Sequence, residues 1–135
     1  MTRFLRTALV TLSLAALGLA AVSAHHSIQA QFDINKTIMI SGTVAKVEWI
    51  NPHSYLTLNV KDDTGKVQKW AFEMASAGQL RGTGLSRADR GGLKLGDEVT
   101  VTALASRDGS PTALAQEIKV ADGRVFRLSN DTPQQ

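Results

Sequence analysis

Apolar and polar residues alternate along much of the chain from Thr37 onward, a pattern typical of strands that bury one face. The alternation predicts one long strand over residues 38–50 and two shorter strands over 55–60 and 67–74. In the long strand the apolar positions change parity between Val44 and Val47. A change of parity within one strand indicates a β-bulge or a sharp bend.

Turn-forming residues separate these strands. Asn51-Pro52-His53 ends the long strand because proline cannot continue the hydrogen-bond ladder. Asp62-Asp63-Thr64-Gly65 predicts a hairpin between the next two strands. Residues 75–92 break the β pattern, and their apolar positions predict a short helix that is weakened by several glycines. Three more strands are expected after it, over residues 98–105, 113–120 and 124–128.

Three strands, a short helical connection and two or three further strands form the element order of an OB-type barrel. We therefore predict an all-β fold, a small OB-like antiparallel barrel with a short helix or loop after the third strand. A small β-sandwich is the alternative, and the helical segment after the third strand favours the barrel. The expected wall and core residues share one parity within each strand. They are Leu56, Leu58, Trp70, Phe72, Val99 and Val101.

The first 24 residues have the features of a signal peptide. Two arginines precede an apolar run over residues 8–22, and Val22-Ser23-Ala24 fits the small-residue cleavage rule. The apolar run is also short for a bilayer span, which needs about 20 apolar residues. We therefore expect cleavage after Ala24 and a periplasmic or secreted protein with no remaining membrane segment. An uncleaved membrane anchor is the alternative.

The predicted mature chain has 111 residues, the length of one domain with a modest core. We expect a polar arm over residues 25–36, a barrel domain over 37–128 and a flexible tail over 129–135. Once the two arginines of the signal peptide are removed, 13 basic and 12 acidic side chains remain. This balance argues against a nucleic-acid partner. The chain has no cysteine, so disulfides and thiolate metal sites are excluded.

The three histidines are the best candidates for chemistry. Cleavage after Ala24 would give His25 a free α-amino group beside its own imidazole, and these two nitrogens can chelate one ion. His53 or His26 could add a further nitrogen. Several nitrogen ligands in a planar arrangement suit Cu(II), so copper is the predicted ion. Zn²⁺ fits the same three histidines and stays open as an alternative.

Other interpretations compete with a metal site. The histidines of the arm could be solvated polar residues, and His53 could be an ordinary turn residue. The competing hypothesis is an interaction module that binds an envelope protein or a glycan through the barrel face or residues 75–92. A redox enzyme built on the copper site is a third hypothesis, and we favour a binding protein over an enzyme. Glu48 and Glu73 could form an acid–base pair, although isolated strand carboxylates are more often solvent-facing.

Several short motifs also resemble a known family. The most specific are the His-His-Ser start and the turn in Trp-Ile-Asn-Pro-His, and further matches are spread over nearly all of the predicted mature chain. The motifs are His25-His26-Ser27, Phe32-Asp33, Gly42-Thr43-Val44, Trp49-Ile50-Asn51-Pro52-His53, Trp70-Ala71-Phe72-Glu73-Met74, Leu95-Gly96-Asp97-Glu98-Val99-Thr100-Val101 and Asp108-Gly109-Ser110. Together they resemble a family of small exported bacterial proteins of uncharacterised function. The resemblance implies an exported single domain with an OB-like barrel, and it supplies no established activity.

Overall fold

A computed structural model of the protein describes residues 28–128. The predicted signal peptide, His25, His26 and the predicted tail lie outside these described residues. The six described strands all belong to one compact unit that begins at Gln31. The elements are α1 (Ile28–Gln31), β1 (Phe32–Glu48), β2 (Ser54–Lys61), β3 (Val67–Met74), α2 (Ala77–Gly82), a 3₁₀ turn (Ala88–Arg90), β4 (Glu98–Ser106), β5 (Thr112–Val120) and β6 (Val125–Arg127).

Five strands close into a ring, which confirms the predicted all-β, OB-like barrel. The sheet order is β3-β2-β1-β4-β5-β6, and an additional pairing between β3 and β5 closes the ring. This closing pair is parallel, with Ala71 opposite Thr112 and Glu73 opposite Leu114, whereas the other pairs are antiparallel. The predicted antiparallel barrel is therefore confirmed, and its closing pair is its one parallel contact among the described strands. The sequence pattern marks strands but not the direction in which distant strands meet.

The predicted bulge in β1 is present. Val44 lies opposite Leu58 and Lys46 lies opposite Thr57, so one extra residue of β1 falls between these two pairs. The bulge lets β1 bend and pair with both β2 and β4. β1 also begins at Phe32, earlier than expected, because the buried Phe32 pairs with Ser106 despite its polar neighbours.

The predicted core is confirmed with one exception. Leu56, Leu58, Phe72, Val99 and Val101 are buried, as their shared parity predicts. Trp70 is only partly buried and packs against the edge of this core. Its ring stacks on that of Phe72 with centroids 6.1 Å apart. Parity places Trp70 on the correct face, but it cannot tell that this part of β3 lies near the rim of the barrel.

The short helix expected after the third strand is α2. Ser76 caps its first turn through a reciprocal pair of hydrogen bonds with Gln79, and Leu80 anchors the helix in the core. Beyond the helix, Gly92 passes so close to Ser86 that an added Cβ would meet the Ser86 carbonyl oxygen. Within residues 28–128, no helix has the length and apolar character needed to cross a membrane.

Candidate functional site

His53 lies in the loop between β1 and β2, and this loop is held at both ends. The Asn51–Pro52 peptide is cis. The buried Ser54 hydroxyl donates a hydrogen bond to the Ile50 carbonyl oxygen at 3.2 Å. The Ser54 amide donates a hydrogen bond to the Ala75 carbonyl oxygen at 3.1 Å. Ser54 therefore ties the end of the loop to Ile50 and to the residue that follows β3.

Glu73 on β3 holds the imidazole of His53. Nδ1 of His53 lies 2.9 Å from Oε1 of Glu73. The His53 side chain is 42% exposed, whereas that of Glu73 is 15% exposed. A carboxylate at this distance favours the tautomer with its proton on Nδ1, which leaves the lone pair of Nε2 free for another partner.

Glu73 belongs to a row of polar side chains across the outer face of three strands. Glu48 on β1 lies opposite Tyr55 on β2, and Tyr55 lies opposite Glu73 on β3. Lys46 approaches Glu48 with a distance of 2.7 Å between Nζ and Oε1. The row therefore places a phenol between two carboxylates, with the imidazole of His53 at its β3 end.

The two carboxylates change the acidity of the phenol. Burial raises the pKa of Tyr55 above its usual value, and the negative charge of Glu73 raises it further. A hydrogen bond to the Glu73 side chain and the charge of Glu48 act in the same direction. Each effect disfavours the tyrosinate anion, so the hydroxyl stays protonated to higher pH than in a free tyrosine.

We predict that Tyr55, the only tyrosine of the chain, titrates with a midpoint above the usual value of about 10. Absorbance at 295 nm follows this ionisation directly. Because the folded state has the higher pKa, the stabilisation from this group is present below about pH 10 and is lost as the pH rises through the folded-state pKa.

Glu73→Gln tests the cause of the shift. This variant should lower the Tyr55 midpoint while leaving the part due to burial, whereas Asp63→Asn in the exposed β2–β3 turn should leave it unchanged. Circular dichroism recorded over the same pH range shows whether the fold persists. A midpoint at or below that of free tyrosine in the folded protein would contradict the prediction.

The structure separates the aromatic residues that flank the loop. Trp49 is partly buried and packs against the core, whereas Tyr55 lies in the polar row on the outer face. Within the described part of the chain, no three His, Cys, Asp or Glu side chains are arranged to hold a metal ion. Of the three predicted ligands, only His53 belongs to that part.

The contact between His53 and Glu73 is absent from the sequence predictions. The predicted turn alone gives the wrong register, because symmetric pairing about Asp62-Asp63-Thr64-Gly65 would put Tyr55 opposite Phe72. The necessary signal is the shared buried face, since Leu56 and Phe72 are both predicted core residues and lie opposite each other when the strands pair about Thr64. That register puts Tyr55 opposite Glu73. His53 lies two residues before Tyr55 and thus close to the same carboxylate. The sequence suggests Glu73 only as an acid–base partner of Glu48, and the register shows that a tyrosine lies between the two carboxylates.

The fold and this site together define a small β-barrel with a histidine–carboxylate pair beside the β1–β2 loop. The profile of a family of unknown function (DUF6152) matches residues 11–116, and the chain belongs to this family. A comparison with curated proteins finds no significant match.

Proposed function

We propose that the protein is an exported metal-binding protein, rather than an enzyme, and that His53 is one of its ligands. The observation that carries the proposal is the 2.9 Å contact between Nδ1 of His53 and the Glu73 carboxylate. Histidine ligands of metal ions usually donate the second ring N–H to a carboxylate or a carbonyl group. This arrangement orients the ring and makes the other nitrogen more basic. The partial exposure of His53 leaves Nε2 accessible to an ion from solution.

Copper is the proposed ion, and the remaining ligands come from the predicted mature N-terminus. The α-amine and ring of His25 would supply two nitrogens, and Nε2 of His53 or the ring of His26 would supply the third. Three nitrogen ligands suit the tetragonal geometry of Cu(II), which also has the highest affinity among the first-row divalent ions. Zn²⁺ is the competing ion, and titration of the same protein with both metals separates them.

Substitutions in the histidine–carboxylate pair test this function. His53→Ala should weaken Cu(II) binding because it removes an inner-shell nitrogen. Glu73→Gln should weaken it by about 10- to 100-fold, the usual cost of losing the partner that orients a metal-bound histidine. Asp63→Asn removes a carboxylate far from the loop and serves as the matched control. Calorimetric titration of the chain that begins at His25 gives the affinities.

The spectrum of bound Cu(II) identifies the ligands independently of affinity. A tetragonal signal with couplings to several nitrogens is expected, and His53→Ala should remove one of those couplings. If His53→Ala binds Cu(II) as tightly as the unaltered protein with the same spectrum, His53 is not a ligand. If the protein binds neither Cu(II) nor Zn²⁺ better than a short histidine-containing peptide, the metal-binding function itself is rejected.

The second candidate function is an interaction module for an envelope protein or glycan. One observation favours it: the outer face of β2 and β3 lies beside the β1–β2 and β4–β5 loops. The Ala71 amide donates a hydrogen bond to the Pro111 carbonyl oxygen at 3.0 Å, so the β4–β5 loop borders this face. OB barrels bind oligonucleotides and oligosaccharides on the same face. Failure of metal binding would make this function the leading candidate.

A further inference from the structure

A second candidate site lies on the outer surface of the barrel, away from His53. It is a groove of about 560 Å³ where β1 passes between β2 and β4, and β5 forms its far wall. The volume is within the range of about 300–1,000 Å³ that is usual for small-molecule sites. His53, Tyr55 and Glu73 do not line the groove. The groove is therefore independent of the metal site proposed above.

A pair of hydroxyl groups forms the middle of the groove. Ser41 on β1 lies opposite Thr100 on β4, and their hydroxyl oxygens are 2.8 Å apart. Thr100 in turn lies opposite Lys119 on β5. On the other side, Lys61 on β2 also lines the groove. The hydroxyl pair is thus flanked by one lysine on each side.

The two lysines can converge on one bound group. Four neighbouring strands place Lys61 and Lys119 about 14 Å apart at the backbone, because adjacent strands are about 4.8 Å apart. The flexible four-carbon stem of each lysine can cover much of that distance. Among residues 28–128, neither lysine forms an ion pair. Two ammonium groups without an ion-pair partner among the described residues, next to two hydroxyls, favour an anionic ligand.

A second row of polar groups adds a requirement for hydroxyls on the ligand. Thr43 lies opposite Asn59 on β2 and opposite Glu98 on β4, and all three line the groove. Glu98 has no ion-pair partner within the described residues. Its carboxylate would repel a second negative charge, but it can accept hydrogen bonds from ligand hydroxyls. The ligand should therefore be anionic at one end and hydroxylated at the other.

The backbone at Gly42 sets the floor of the groove. A Cβ at this position would lie 2.6 Å from the carbonyl oxygen of Asn59. Only glycine lets β1 pass this close to β2 without a shift of the backbone. The close approach of β1 and β2 at Gly42 fixes the spacing of the two polar rows, which lie on either side of this residue along β1.

We propose that this groove binds a small hydroxylated organic anion of the size of a sugar acid. Its carboxylate would lie between Lys61 and Lys119, above the hydroxyls of Ser41 and Thr100. Its hydroxyl groups would bind Asn59, Thr43 and Glu98.

Three probes test the requirement for a negative charge and the requirement for hydroxyl groups separately. Glucuronate carries both the charge and the hydroxylated ring, glucose carries the ring alone, and acetate carries the charge alone. Titration of the ¹⁵N-labelled purified protein with each probe is followed by the amide shifts of the groove strands. Glucuronate should bind more tightly than glucose or acetate, and added salt should weaken its binding because part of the affinity comes from charge.

Substitutions of the lysines locate the site. Lys119→Met and Lys61→Met should each weaken glucuronate binding about tenfold, as expected for the loss of a hydrogen bond to a charged group. Lys36→Met, at an exposed position of β1 outside the groove, is the matched control and should not change the affinity. The amide spectrum of each variant confirms that it is folded.

Each outcome decides the proposal. Preference for glucuronate together with losses confined to the two groove lysines supports it. Binding of glucose as tight as that of glucuronate, equal effects of all three lysine substitutions, or no shift of groove amides with any probe would overturn it. His53→Ala should leave glucuronate binding unchanged, so that failure at this groove is distinguishable from failure of the metal site.

Discussion

Adding one residue before His25 is expected to cause the largest loss of Cu(II) affinity among the changes proposed for this protein. The extension keeps the rings of His25, His26 and His53, but it converts the α-amine into an amide, which is a poor neutral ligand. The change removes one ligand and the chelate ring that this ligand closes. The loss should therefore exceed the 10- to 100-fold effect expected for an orienting partner such as Glu73.

The matched control is an extension at the other end of the chain. One residue added after Gln135 changes the length by the same amount and leaves the α-amine free, so it should not alter Cu(II) affinity. Competition with a chelator of known affinity measures both proteins on one scale. An N-terminally extended protein that binds as tightly as the chain beginning at His25 would rule out the amine ligand, and any remaining site would have to use the imidazoles alone.

Phe72→Ala is expected to cause the largest loss of stability, about 3–5 kcal/mol. The substitution removes the fully buried phenyl ring of Phe72 in β3 and leaves a cavity in the core. The neighbouring strand packs Leu56 against this position, and the closed ring of strands limits how far the wall can collapse into the space. Unfolding in urea followed by circular dichroism gives the free energy of unfolding for each variant.

Trp70→Ala provides the comparison within the same strand and on the same face. It removes a larger side chain, yet the loss should be smaller than that of Phe72→Ala, because Trp70 is already partly exposed to solvent. The tryptophan fluorescence of the unaltered protein, to which both Trp49 and Trp70 contribute, should change with denaturant together with the global transition. If Trp70→Ala costs as much as Phe72→Ala, the tryptophan is as important to the core as the sequence parity alone suggests.

Most of the strand pattern can be predicted from the sequence because each strand buries one face. Val67–Met74 agrees with its prediction to the residue, and the bulge of β1 follows from a change of parity near Val44. The early start of β1 at Phe32 could not be predicted, because one buried ring and one strand pair outweigh a polar local composition. The parallel closure between β3 and β5 depends on long-range geometry that no local pattern encodes.

The candidate site can be predicted less completely than the fold. The histidines are found by composition alone, and His53 does lie in an exposed loop with a free ring nitrogen beside its carboxylate contact. Glu73 is not evident as its partner because the contact spans two strands and becomes visible only after the hairpin register is assigned. The groove around Ser41 could not be predicted either, since its residues come from four strands and none belongs to a recognisable ligand-binding motif.

The short strand β6 protects the barrel against strand pairing between copies of this protein. Two strands pair with the same edge of β5. β3 pairs with Thr112–Leu114, and β6 pairs with Glu117–Lys119. Phe126 of β6 is buried, so the strand is held by its side chain as well as by its backbone. Loss of β6 would uncover the second half of the β5 edge, and unpaired backbone groups there could recruit a strand from another copy. The short strand Val125–Arg127 therefore covers backbone groups of β5 that would otherwise be open to pairing with a strand of another copy.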